Sequence, residues 1–153
     1  MKKAAAALVA CLAAALLAGC GGQNAGGSAG AKERSPSGGY KDGTYTAKSG
    51  LDELGGTGVI TLTIENGKIT KADFRGIQVT GQPKDSSYGK TIGNLNQEYY
   101  NKAQKAVKGA AAYAPKLVET QDVDKVDAVS GATVSHDQFT EAVKKALKQA
   151  QGG

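Results

Sequence analysis

The clearest signal along the chain is the strict alternation at residues 59–65 (VITLTIE), with Ile60, Leu62 and Ile64 on one face and Thr61 and Thr63 on the other. Period two marks a half-buried strand. Asn66-Gly67 follows directly, and both positions tolerate the positive φ that a two-residue hairpin turn demands. The return strand starts at Lys68, but Ile69, Ala72 and Phe74 slip out of phase between Thr70 and Ala72. One extra residue there, a β-bulge, restores a single buried face. Residues 42–47 (DGTYTA) predict a turn into a short strand and residues 49–58 a glycine-punctuated loop. Ile77 and Val79 are expected to continue the sheet.

Further along, the period lengthens. Residues 81–93 (GQPKDSSYGKTIG) form a polar loop. Asn94 or Asn96 is placed to cap a helix reaching Tyr113, with Leu95, Tyr99, Ala103, Ala106, Val107 and Ala110 near one face. Pro115 disfavours helix at Ala114 and so sets the expected end. Gly109, inside that helix, costs ~1 kcal/mol relative to alanine. Leu117 and Val118 begin another ordered piece, and residues 121–127 make a polar connector. In the last helix Ser135 and Gln138 have the spacing of a capping box, and Phe139, Val143, Ala146 and Leu147 follow at helical intervals. No internal repeat is visible. The sum is an α+β fold: a small antiparallel sheet with helices packed on one side.

The N-terminus reads as an address. Lys2 and Lys3 precede residues 4–18, which are uncharged and almost wholly apolar. That run is short of the ~20 residues a membrane-spanning helix needs and fits the core of a secretory signal. It ends in Leu17-Ala18-Gly19-Cys20, which resembles a bacterial lipobox. The resemblance implies a signal peptide over residues 1–19, removed by cleavage, and Cys20 carrying a diacylglycerol. Two or three acyl chains are enough for stable anchoring. The expected location is the cell membrane, lipid-anchored and facing the extracytoplasmic side. Residues 21–39 (GGQNAGGSAGAKERSPSGG) hold no large apolar residue and cannot bury a core. As a flexible tether they span ~25 Å, leaving residues 40–153 as one domain.

Composition narrows the chemistry. Both cysteines, Cys11 and Cys20, precede the domain, and His136 is the sole histidine. Disulfides, zinc ribbons, iron–sulfur clusters and cysteine nucleophiles are excluded from the domain, and a histidine-rich metal or haem site is not expected. Redox chemistry would need an organic cofactor. Without Lys2 and Lys3 the chain has 17 basic and 14 acidic residues, a formal charge of +3. The two signs are interspersed, with none of the clustered basic faces that nucleic-acid binding uses. Ser135-His136-Asp137 lacks a nucleophile elbow, and triad members meet in space rather than in sequence. Residues 55–58 (GGTG) lack the spacing and lysine of a phosphate-binding P-loop, and a plain loop is expected there.

The segment richest in chemistry precedes the last helix: Asp127-Ala128-Val129-Ser130-Gly131-Ala132-Thr133. It is a glycine-containing turn feeding a helix N-terminus, where free N–H groups and the helix dipole favour an anion. Ser130, Thr133 and Ser135 place three hydroxyls around it. On physics alone a phosphate site and a simple capped helix both remain open.

Residues 127–133 resemble the D-x-x-S-G-A-T flavinylation motif of bacterial FMN-binding domains, found in flavin subunits of sodium-pumping quinone reductases and in extracellular flavin lipoproteins. DGTYTA, the ENGKIT hairpin and VDAVSGATVSHDQFTEAVKKAL extend the resemblance over residues 42–150. It implies FMN held by a phosphoester to Thr133. It also implies a separate flavin transferase that takes FMN from FAD and brings its own metal. Asp127 and Ser130 would serve transferase recognition or shape the turn. Gly131 and Ala132 would admit the phosphate closely or provide tight backbone packing, and Ser135 would cap the helix or touch the ligand. The chain departs from many members in Val134-Ser135-His136, and residues 81–93 stand where larger subunits carry a Glu-Thr-Pro-Gly loop. Tyr88, Tyr99 and Tyr100 are candidates to flank the ring or to pack on the sheet.

No acid–base pair or substrate pocket is evident, so a carrier is expected rather than an enzyme with its own substrate. The expected partners are the transferase, a membrane quinone or NADH-linked electron donor, an extracellular acceptor, and the lipid bilayer through Cys20. The rival readings are a surface lipoprotein with a binding or structural role and no redox function, and a flavin reductase with a specific substrate.

Overall fold

The structure, a computed structural model, describes residues 39–90 and 96–152. The expected signal peptide, Cys20, all of the tether but Gly39, the end of the 81–93 loop, and the candidate cap Asn94 with Leu95 lie outside the described residues.

Three strands form one antiparallel sheet in chain order: β1 (Gly43–Leu51), β2 (Thr57–Glu65) and β3 (Lys68–Ile77). The hairpin turn is built as the sequence predicts. Asn66 and Gly67 take φ of 53° and 69°, the pair of positive values that makes the turn twist with its strands. Thr63 pairs with Lys71 and Ile64 with Ile69, so Thr70 is the extra residue in β3. That bulge puts Ile69 on the buried face together with Ile60, Leu62 and Ile64 of β2.

A second irregularity had no signal in the alternation. Lys48 pairs with Val59 and Leu51 with Thr57, so Ser49 and Gly50 together face Gly58. The buried Ser49 hydroxyl accepts the Gly58 N–H at 2.8 Å, and Thr57 donates to Ser49 O at 2.9 Å. Half of the loop expected over residues 49–58 is therefore strand, and residues 52–56 turn. Val79 is also corrected: β3 ends at Ile77, and Val79 is exposed in the following loop.

The helices are α1 (Gln97–Ala110), α2 (Tyr113–Thr120) and α3 (Thr133–Ala150), with a 3-10 turn at Val123–Lys125. Asn96 caps α1 by accepting the Tyr99 N–H at 3.0 Å. The single helix expected to reach Tyr113 breaks at Ala111 and Ala112, and Pro115 lies inside α2 rather than ending its predecessor. It occupies the first turn, where no intrahelical N–H bond is required. Gln121, beyond α2, pairs like a strand residue with Ile69 of β3, accepting its N–H at 2.9 Å and donating to its O at 2.8 Å.

α3 packs on β1 and β2 and α2 on β3, all on the face that β2 buries. Phe139, Ala142, Val143, Ala146 and Ala150 of α3 meet Ile60, Leu62 and Ile64, with Tyr113 and Leu117 of α2 completing the core. At the free edge of β1 three α3 side chains, one turn apart, bond outward backbone groups. Glu141 accepts the Gly50 N–H, Lys145 donates to Lys48 O and Gln149 to Thr46 O. A sheet edge covered in this way is a poor template for another chain.

Candidate functional site

The seven-residue motif folds as a tight turn pinned from below. Gly131 takes φ +87°, and the Ala132 N–H bonds Val129 O at 2.8 Å. The buried Tyr113 hydroxyl spans the turn, accepting the Val129 N–H at 3.1 Å and donating to Ala132 O at 3.0 Å. His136 closes the far side, its Nε2 bonding Val126 O at 2.6 Å while its ring stands edge-on to Tyr113. His136 is thus a structural clasp. Sequence reasoning passed over Tyr113, counting it only as a helix terminus.

α1 supports the same turn. A Cβ at Gly109 would lie 2.7 Å from Ala132 Cβ and 3.1 Å from Val129 Cγ1. Glycine in an ordinary helix costs ~1 kcal/mol, but here it lets α1 touch the motif. Gly109→Ala should accordingly destabilise the protein by about 1–3 kcal/mol through overpacking, against the gain expected at an open helix position. Urea midpoints of the two proteins decide the sign.

α3 begins three residues earlier than the capping-box reading expects. Thr133 is its first residue, the cap position is Ala132, and no side chain caps it. Ser135 is not the N-cap; it lies inside the first turn. Gln138 is buried, donating instead to Gly56 O at 3.0 Å and, more weakly, to Asp52 Oδ2 at 3.4 Å. The first N–H drawn into the helix is that of His136, to Ala132 O. Asp127, Ser130, Gly131 and Thr133 are exposed and Ala132 is buried. Among the described residues the hydroxyls of Ser130, Thr133 and Ser135 make no hydrogen bond. The turn therefore presents a free hydroxyl, Thr133, at an uncapped helix end. Methylenes of Lys105 cross Gly131 where a Cβ would stand, 3.0 Å from its Cδ.

Beside this turn opens a cleft of about 730 Å³, within the range of small-ligand sites. Val134 and Ser135 line it, along with Phe74, Tyr88, Ala106, Val107 and Ala110. Leu51, Leu54 and Val134 also line it and are exposed large apolar side chains. Apolar walls in a concave site are what small-molecule pockets characteristically offer. Tyr88 is the one of the three candidate tyrosines that lines the cleft; Tyr99 is exposed, and Tyr100 donates to Ser86 O.

Within the cleft, Lys84 Nζ and Asp52 Oδ2 form a 2.6 Å ion pair whose side chains are only 12% and 8% exposed. Asp52 Oδ1 also accepts N–H groups from Leu54 and Gly56. Two glycines make room: a Cβ at Gly76 would lie 2.9 Å from Lys84 Cδ, and one at Gly56 2.9 Å from Lys84 Nζ. The residues 55–58, expected as a plain loop, are therefore a packing device, with Gly58 likewise pressed against Phe74 and Gln138.

Burial opposes charge on Asp52, yet the Lys84 ammonium and the Gly56 and Leu54 N–H groups hold its carboxyl below the ordinary range. A depressed folded-state pKa adds stability that is present above the unfolded value, about 3.9, and lost as pH falls through the folded one. Asp52→Asn should be less stable than the parent at pH 7, with the gap closing as pH drops below about 4. Denaturant midpoints at the two pH values test this.

Comparison with known proteins adds three findings. A family model described as the FMN-binding domain matches residues 53–148. A crystal structure of a protein from Clostridium perfringens is 29% identical, with a TM-score of 0.57, covering 74% of this chain and 91% of that one. A solution NMR structure of a protein from Clostridium thermocellum is 30% identical, with a TM-score of 0.42, covering 72% and 92% respectively. No curated protein matches the sequence.

Proposed function

The chain belongs to the family of FMN-binding domains, and from that premise we propose that it is an electron carrier holding FMN as a phosphoester on Thr133. The observation that carries this reading is the placement of Thr133. Its hydroxyl is free and exposed at the first position of an uncapped helix, next to an apolar cleft. The uncapped N–H groups of α3 suit a phosphate there. Phe74, Tyr88 and the alanines of α1 offer walls for a planar ring, and Leu51, Leu54 and Val134 are the apolar rim it would cover.

When bound, FMN supplies one- and two-electron redox chemistry, and the protein's part is to position and tune it. Tyr113 and Gly109 fix the turn that carries the attachment point. Thr133 is exposed, as a side chain handled by a separate transferase must be.

The wider proposal keeps the expected setting. Cys20 anchors the chain in the cell membrane on the extracytoplasmic side, and residues 21–39 tether the domain. A covalent bond retains the cofactor where a free one would be lost by diffusion. The electrons would come from a membrane quinone or an NADH-linked donor and leave to an extracellular acceptor. To test attachment, the full chain is coexpressed with a flavin transferase and run on a denaturing gel. A flavin-fluorescent band supports the reading, and a dark band with the transferase active refutes it.

A further inference from the structure

An ion pair so largely shielded from water is an odd furnishing for a ligand cleft. Its desolvation is expensive, and replacing such a pair with apolar groups is often neutral or stabilising. Lys84 and Asp52 nonetheless have two glycines, Gly56 and Gly76, cleared around them, and the Gln138 amide turned towards the carboxylate. Lys84 Nζ also stands 5.5 Å from the centroid of the Tyr88 ring, another lining residue. The sheet does not require this arrangement. The bridge between Ile77 and Pro83 and the bonds of Gln78 with residues 82 and 83 already fasten the loop to the end of β3.

The other charges lining the cleft are Asp52, Glu53, Asp85, Asp137, Glu141 and Arg75. Arg75 is exposed and paired with Asp73. Lys84 is therefore the one largely shielded cation among the described lining residues, set in a predominantly acidic surround. We propose that Lys84, held in place by Asp52, is the positioning residue that sets the redox equilibrium of a flavin in this cleft. The inference rests on the flavin reading above and deepens it.

The charge balance gives the direction. An oxidised flavin ring that takes up two electrons and one proton gains one negative charge. A shielded ammonium lowers the free energy of that charged form, since Coulomb interactions are stronger in a site poor in water. A shielded carboxylate raises it. Lys84 and Asp52 should therefore shift the reduction equilibrium in opposite directions, whereas a pair that only supports the fold would move it the same way or not at all.

The test is spectroelectrochemical titration of the flavin-loaded full chain, produced with a flavin transferase. Lys84→Met should make two-electron reduction about tenfold less favourable, a fall of ~30 mV. Asp52→Asn should make it more favourable by a similar factor. Lys84→Arg, which keeps the charge, should stay within about twofold of the parent, and the double variant Lys84→Met/Asp52→Asn should fall between the single ones. If Lys84→Met does not fold, the upward shift in Asp52→Asn and the constancy of Lys84→Arg still decide the matter. Loaded variants whose potentials do not move, or all move one way, overturn the role of Lys84 and leave the cofactor assignment standing. A parent chain that emerges with no flavin overturns both.

Discussion

Thr133→Ala, coexpressed with a flavin transferase, should emerge with no covalent flavin, while Thr133→Ser should keep it. The expected change is the full label, from about one flavin per chain to none, because a phosphoester needs the hydroxyl and alanine has none. Stability should barely move. Thr133 is exposed, and its side chain bonds no described residue, so the substitution falls in the class usually worth less than ~0.5 kcal/mol. Denatured absorbance gives the flavin content and a thermal melt the stability. Ser130→Ala, by contrast, should remain labelled if Ser130 only shapes the turn, and should lose loading rate if the transferase reads it.

The largest loss of stability is expected from Phe139→Ala. Phe139 is fully buried at the centre of α3, its ring 5.2 Å from that of Phe74 and 5.4 Å from that of Tyr113. Truncating such a side chain removes its burial and leaves a cavity, a cost of about 3–5 kcal/mol. For a domain of this size that corresponds to a fall in Tm of more than ~10 °C. The same residue ties the core to the site. Phe74 lines the cleft and Tyr113 holds the motif turn, so flavin loading at a temperature where the variant stays folded should also slow. Calorimetry and a loading time course separate the two effects.

These expectations rest on features of unequal visibility in the sequence. β2, the Asn66-Gly67 turn and the Thr70 bulge were legible because each follows from burying one face of a hairpin, a local rule. The α+β class followed from the same patterns. The break at Ala111 and Ala112 was not legible, since alanine favours helix and only tertiary packing of Tyr113 under the motif separates α1 from α2. The Ser135 capping box failed for a related reason. Its spacing was right, but Gln138 finds its partners in Asp52 and Gly56, more than eighty residues away.

The site divides in the same way. Thr133 and its neighbours form one short motif and could be named from the sequence. The cleft is assembled from the end of β1, the bend of residues 52–56, β3, the loop after it, α1 and α3. No local pattern links those segments, so Lys84, Asp52, Leu51 and Leu54 went unnoticed. One signal was available: the glycines at 55, 56, 58 and 76 are denser than turns alone require. Several of them mark places where side chains press against backbone.

The central claim is most directly tested by the intact mass of the full chain made with a flavin transferase, followed by peptide mapping. Chains heavier by one FMN less one water, with the added mass on Thr133, are the predicted result. A chain of unmodified mass, or an adduct mapped to any other side chain, would contradict it.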